Sequence, residues 1–125
     1  MTPAELRGIR EMTGHSIEDL ARSLSVSRSI IQKWEGGTSP IPAGVADDMN
    51  RLRDTYADAR DATLDAAPAS MEVWRSDRDS WHETGRPARW WRQIAAECHM
   101  THGTTVTYLP LAGHDPMVLV DEANA

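Results

Sequence analysis

The most informative pattern in the chain is a pair of short segments near its start, each with apolar residues at helical spacing. Ser16 suits the N-cap position of the first segment, because its hydroxyl can accept a hydrogen bond from the free N–H groups of a first helical turn, and Asp19 is an acidic partner in that turn. The apolar positions of this segment share one helical face: Ile17, Leu20, Ala21 and Leu24. The pattern predicts a short amphipathic helix.

A second short helix follows after a break at residues 25–26. Ser27 can cap it, and Ile31 and Trp34 are its inward positions. The glycines at 36 and 37 end it, because glycine readily takes the left-handed conformation found at many helix C-termini. Two short helices across a brief turn are the outline of a helix-turn-helix, whose second helix enters the DNA major groove.

The rest of the apolar pattern predicts a mainly α-helical chain. A first helix spans about Pro3 to Met12, and a long fourth helix runs from Pro42 to about Ala66. We therefore expect a helix-turn-helix DNA-binding domain at residues 1–66. A small α+β dimerisation or interaction region is expected at 67–125, with helices at 76–83 and 88–99 and strands at 71–75, 104–109 and 117–120.

Composition narrows the class of protein. The chain has 125 residues, 40% apolar content and a single cysteine, which leaves no internal disulfide. No run of about 18 apolar residues indicates a transmembrane helix, and the N-terminus leads into a helix without a basic-then-apolar signal segment. These features predict a cytoplasmic protein that makes no contact with a membrane.

The net charge of −6 is unevenly distributed. Residues 1–41 carry five acidic and five basic residues, whereas residues 42–72 carry seven acidic and three basic residues. Attraction between charges is screened within about 8 Å at physiological salt. The acidic residues at 42–72 therefore do not prevent DNA binding by the neutral segment 1–41. A weak overall field favours specific contact over non-specific adhesion.

Twelve positions in the first third of the chain form a signature: Leu6, Arg10, Gly14, Ser16, Leu20, Ala21, Val26, Ser27, Ile31, Trp34, Glu35 and Gly37. This signature resembles the lambda-repressor-like, Cro/CI-type helix-turn-helix of the XRE group. The string QKWEGGTSPIP at residues 32–42, followed by Val45 and Met49, is similar to the anti-CRISPR-associated repressors and their relatives. The second resemblance extends weakly over the remainder of the chain.

Polar side chains of the second helix are the candidates for reading bases. Arginine can bond guanine through two N–H groups, lysine reaches the same acceptors, and glutamine pairs with adenine. The outward polar residues that we assign to base reading are Arg28, Ser29, Gln32 and Lys33. The resemblance implies base contacts for three of them, Arg28, Ser29 and Lys33.

Short hydroxyl side chains near the helix starts and the exit loop are the candidates for phosphate contacts. They are Ser16, Ser27, Thr38 and Ser39. Helix capping alone also explains Ser16 and Ser27, and capping is compatible with a phosphate contact. At the position of Ile17 the family often carries a phosphate-contacting glutamine, which this chain lacks.

The resemblance implies a structural salt bridge between Arg10 and Glu35. In the family, matching residues join the first helix to the end of the recognition helix and do not touch DNA. Removing one partner of a well-buried pair strands a charge at a cost of about 3–5 kcal/mol.

Arginines and tryptophans alternate in the C-terminal region. The arginines are Arg75, Arg78, Arg86, Arg89 and Arg92, and tryptophans stand between them. Such a cluster can bind single-stranded nucleic acid, so RNA binding is one interpretation. The other is that core tryptophans are flanked by solvated arginines. Some anti-CRISPR-associated repressors bind their transcript as well as the promoter.

The sequence contains no recognisable catalytic or metal-binding arrangement. Cys98, His99, His102 and His114 lack the paired spacing of zinc sites, and no glycine loop is suited to hold a phosphate. We therefore expect no enzymatic activity, no metal and no cofactor.

The helix-turn-helix predicts a sequence-specific DNA-binding transcriptional repressor, and the resemblance to the anti-CRISPR-associated regulators implies that it acts on its own operon. One head reads about one half-site, so we expect a homodimer on an inverted repeat, with dimer contacts from Trp90, Trp91, Val106 and Tyr108. The alternatives are an antitoxin whose tail holds a toxin, a protein-interaction module that reuses the helix-turn-helix head, and a repressor that binds both DNA and RNA.

Overall fold

A computed structural model of the protein describes residues 1–110. Its elements follow in the order α1 (Pro3–Met12), α2 (Ile17–Leu24), α3 (Arg28–Gly36), α4 (Ala43–Ala66), β1 (Ser70–Val73), α5 (Asp77–Thr84), α6 (Ala88–His102) and β2 (Thr105–Tyr108). The predicted fold class is confirmed: the protein is mainly helical, with an N-terminal helix-turn-helix, a long fourth helix and a small C-terminal sheet.

Reciprocal caps fix the starts of α1 and α2. The Thr2 hydroxyl accepts from the backbone of Glu5 while the Glu5 carboxylate accepts from the backbone of Thr2, and Ser16 and Asp19 do the same for α2. Each cap satisfies two backbone N–H groups at once. The α3 helix has only half of such a cap. The Ser27 hydroxyl accepts from the backbone of Ile30, but the first turn carries no acid to accept from the backbone of Ser27.

Helices α1 to α4 form the N-terminal domain, which we call the head, and they enclose the first hydrophobic core. Six side chains are buried in it: Leu6, Leu20, Ala21, Ile31, Trp34 and Met49. Leu52 packs partly against this core and partly against a second one. The long α4 helix therefore connects the head to the C-terminal region.

The second core joins α4 to α6. Tyr56, Trp90 and Ile94 are buried together, and the rings of Tyr56 and Trp90 meet edge to face with centroids 4.9 Å apart. Such aromatic pairs add about 0.5–1.5 kcal/mol beyond the area that they bury. The C-terminal region is thus packed against the helix that completes the head.

The strands β1 and β2 form a parallel pair. Ser70 faces Thr105 and Val73 faces Tyr108, and α5 and α6 make the crossover that parallel strands require. The α6 helix extends to His102, three residues beyond its predicted end, and Gly103 ends it at a φ of 73°. The strand expected at Met117–Val120 lies outside the described residues.

Direct contacts also hold α5 and α6 against the end of α1 and the turn that follows it. The Gln93 side chain donates to the backbone carbonyl of Glu11 over 3.3 Å. His15 is 3% exposed, and its ring packs nearly perpendicular to the rings of Trp81 and Trp90. Within residues 1–110, no helix is long and apolar enough to span a membrane.

Candidate nucleic-acid interface

One face of α3 is a continuous exposed polar stripe. All four side chains predicted to read bases lie on it and are exposed: Arg28, Ser29, Gln32 and Lys33. The spacing i, i+1, i+4 and i+5 places them on adjacent helical rows. The stripe combines two cations with two neutral hydrogen-bonding groups, which is chemistry suited to base edges.

The opposite face of α3 anchors the stripe. Ile31 is 0% exposed and Trp34 is 4% exposed, and both belong to the head core. At the end of the helix, Gly37 takes a left-handed φ of 78°, which directs the chain into the exit loop. The buried face thus orients the exposed polar face relative to the rest of the head.

The candidate phosphate hydroxyls lie at the start of α2, at the start of α3 and just after α3. Ser16 and Ser27 are exposed, and each hydroxyl accepts from a backbone N–H of its own helix: Asp19 N at 2.9 Å and Ile30 N at 3.1 Å. After α3, Thr38 is exposed and Ser39 is half-buried. The serine oxygens therefore serve as caps, and their surface positions remain accessible to a ligand.

Arg10 and Glu35 form a bidentate ion pair between α1 and α3. Nε of Arg10 lies 2.7 Å from Oε2 of Glu35 and Nη2 lies 3.0 Å from Oε1, while Nη1 donates to the carbonyl of His15 over 3.1 Å. The two side chains are 12% and 9% exposed. One guanidinium thus connects α3, α1 and the turn between α1 and α2.

A second ion pair, between Arg28 and Glu18, was not anticipated from the sequence. Nη1 of Arg28 donates to Oε1 of Glu18 over 2.7 Å, and both side chains are mostly exposed. The two residues stand ten positions apart on different helices, so periodicity within one helix gives no signal for their contact. The pair places a carboxylate beside the predicted reading stripe.

Three of the five arginines in the C-terminal region contact groups within the chain. The Arg86 guanidinium lies over the Trp90 ring at 4.7 Å, and that of Arg75 lies over the Tyr108 ring at 4.4 Å. Arg92 donates to the carbonyls of Trp74 and Arg75. Arg78 and Arg89 are exposed.

The two tryptophans of α6 make contacts within the chain. Trp90 is 1% exposed and belongs to the second core, so its ring offers no face to a base or to a partner subunit. Trp91 is half-buried, and its indole N–H donates to Thr84 over 3.0 Å. Of the four residues predicted to form a dimer contact, Tyr108 is exposed and Val106 is half-buried.

The histidines near Cys98 contact backbone atoms. Nδ1 of His99 lies 2.9 Å from the carbonyl of Thr104, and Nε2 of His102 lies 2.9 Å from the carbonyl of Leu64. Cys98 is buried, and burial raises the pKa of its thiol. In the described part of the chain, no three His, Cys, Asp or Glu side chains are grouped to hold a metal. His114 lies outside that part.

Comparison with known proteins agrees with the geometry of the head. A comparison with curated proteins gives no match. The profile of a helix-turn-helix domain family matches residues 4–66, which is the segment from α1 to the end of α4 and half of the chain. This family and the exposed stripe on α3 indicate a DNA-binding regulator. The chain belongs to this helix-turn-helix domain family.

Proposed function

We propose that the protein is a sequence-specific transcriptional repressor that binds an inverted repeat in the promoter of its own operon. The observation that carries the proposal is the exposed stripe of Arg28, Ser29, Gln32 and Lys33 above a buried apolar face. A recognition helix reads DNA through exposed side chains on its first turns, and it must be held rigidly for that reading to be selective. The Arg10–Glu35 ion pair joins α3 to α1 and so helps to hold it in place.

The proposal includes a homodimer. One α3 helix reads only about half of a typical operator, and two heads related by a two-fold axis bind half-sites about one helical turn, roughly 34 Å, apart. The C-terminal region offers β2 for this contact, because Val106 and Tyr108 leave apolar surface at the sheet. Trp91 at the surface of α6 is a further candidate.

Repression by occupancy follows from the same features. A protein bound across a promoter excludes polymerase and requires no chemistry of its own, so we propose a regulator without enzymatic activity. The resemblance of the segment 32–42 to anti-CRISPR-associated repressors supports autoregulation as the first circuit to test. We further propose that the protein acts in the cytoplasm.

Selection of bound duplexes from a random DNA pool tests the proposal directly. The variant Arg28→Ala/Lys33→Ala removes two cations from the α3 stripe. The control Arg51→Ala/Arg53→Ala removes two exposed cations from α4, so it matches the change in net charge. We expect an inverted repeat from the wild type and the control, and its loss in the α3 variant. Selection without any motif would contradict the proposal.

The oligomeric state is tested separately by native mass spectrometry at micromolar concentration without DNA. We expect a dimer for the wild type and a shift toward monomer for Tyr108→Glu, which places a charge at the proposed contact. Met100→Glu is the control, because Met100 is 85% exposed on α6 and its change adds the same charge. A monomeric wild type would contradict the dimer.

A further inference from the structure

Helix stability and affinity for DNA are two possible functions of Glu18, and its surroundings can be compared with each. It lies in the first turn of α2, where an acid interacts favourably with the helix dipole. That turn already has Asp19, whose carboxylate accepts from the backbone N–H of Ser16. An exposed ion pair such as Glu18–Arg28 contributes little to folding stability, because solvent screens it. Helix stability therefore does not explain why this carboxylate contacts Arg28.

Affinity for DNA does not explain Glu18 either. In a helix-turn-helix complex the helix before the recognition helix crosses the phosphate backbone. A carboxylate on its first turn lies near phosphates and repels them, and the resulting loss of affinity is greatest at low salt. The carboxylate that Arg28 contacts therefore weakens general attraction to DNA.

We propose that Glu18 is a specificity-determining residue that acts by positioning Arg28. The inference rests on the proposed function and deepens it. Glu18 occupies Nη1 of Arg28 at 2.7 Å, and an arginine has five N–H donors in a planar fork. The donors that remain are sufficient for a bidentate bond to the O6 and N7 acceptors of a guanine.

The positioning acts in two ways on selectivity. It fixes the rotamer of a long side chain before binding, so less conformational entropy is lost when the guanine is met. It also holds the guanidinium away from neighbouring phosphates, which present the same attraction at every sequence. Both effects favour the correct site relative to others, at the cost of general affinity.

The test compares Glu18→Gln with the wild type on three duplexes at one fixed salt concentration. The duplexes are the selected operator, the operator with the Arg28-dependent guanine replaced, and an unrelated sequence. We expect Glu18→Gln to bind the unrelated duplex more tightly and to lose about two- to fivefold of the discrimination at that guanine. In the Arg28→Ala background, the same change should raise affinity and leave discrimination unaltered.

Glu11→Gln is the matched control. Glu11 is exposed and pairs with Arg7 on α1 at 2.6 Å, so its change removes the same charge and a similar ion pair outside the α2–α3 surface. The control should leave discrimination at the guanine unchanged.

Two results would overturn the inference while the proposed function stands. A uniform rise in affinity with unchanged discrimination would show that Glu18 acts only as a charge. Lost discrimination at another base pair would show that Glu18 reads a base directly, as a carboxylate can at cytosine. A wild type that binds all three duplexes equally would instead remove the proposed function, and this inference with it.

Discussion

Gly14 packs so closely against the start of α6 that a Cβ atom on it would lie 2.7 Å from the backbone nitrogen of Trp90 and 2.9 Å from Cβ of Arg89. The turn between α1 and α2 thus makes direct backbone contact with the C-terminal region. Gly14 also has a φ of 80°, which side-chain-bearing residues rarely adopt. The head and the tail meet at a position where only glycine fits.

Replacing Gly14 with alanine should therefore destabilise the protein. The positive φ alone costs about 1 kcal/mol, and the clash with backbone atoms of α6 adds to it, so we expect a loss of about 2–4 kcal/mol. Urea denaturation measures the change. The control is Gly8→Ala in α1, where a Cβ meets nothing within 4 Å. Alanine there should raise the free energy of unfolding by about 0.5–1 kcal/mol. Equal stability of the two variants would contradict this contact.

The head was predictable because its signals are local. Ser16, Ser27 and the glycines at 36 and 37 mark helix ends by chemistry that acts within four residues, and the buried residues of α2 and α3 follow from their helical spacing. The mainly helical class and the order of elements could be derived from such signals. The four polar residues on α3 could be placed on one face for the same reason.

Contacts between distant elements gave no such signal. Nothing in the local pattern indicates that His15 meets Trp81 and Trp90 or that Gly14 adjoins α6, because these contacts join residues more than 60 positions apart. The contact of Trp90 with Tyr56 could not be derived from the pattern either, because Tyr56 lies on another helix. An aromatic residue in a helix can face either a core or a partner, and only tertiary packing decides between the two.

Removing either partner of the Arg10–Glu35 pair should destabilise the head by about 3 kcal/mol, because the remaining charge stays partly buried without its partner. The variants are Arg10→Met and Glu35→Gln, measured by urea denaturation. The double swap Arg10→Glu/Glu35→Arg should recover part of the loss. Recovery should be incomplete, because a glutamate at position 10 cannot donate to the carbonyl of His15. Additive losses in the double swap would contradict coupling between the two residues.

His15 makes stability depend on pH. Burial lowers the pKa of His15, the charge of Arg86 lowers it further, and Asp19 and Asp77 oppose these effects. The unfolded chain therefore binds a proton more readily than the folded one. Neutral His15 imposes no cost on the folded state above the unfolded pKa of about 6.5. As the pH falls from there through the lower folded pKa, protonation favours the unfolded chain and the free energy of unfolding decreases.

We expect the free energy of unfolding to decrease between pH 7 and pH 5, by at most about 1.4 kcal/mol per pH unit for this one proton. His15→Phe keeps an aromatic ring against Trp81 and Trp90 and should reduce the slope. His82→Gln is the control, because His82 is exposed and its change should leave the slope intact. An unchanged slope in His15→Phe would assign the pH dependence to other groups.

Ser27 allows helix capping to be separated from contact with DNA. Its hydroxyl accepts from the backbone N–H of Ile30 over 3.1 Å, so Ser27→Ala should cost about 1 kcal/mol of stability. Ser27→Asp retains a capping oxygen and interacts favourably with the helix dipole, so its stability should stay near that of the wild type. The new charge repels a phosphate, and affinity for the selected operator should fall about tenfold at physiological salt and further at low salt.

The control Ser76→Asp makes the same change at the cap of α5 and should leave affinity unaltered. If Ser27→Asp binds the operator as the wild type does, then no phosphate lies at the start of α3 and Ser27 is a cap alone.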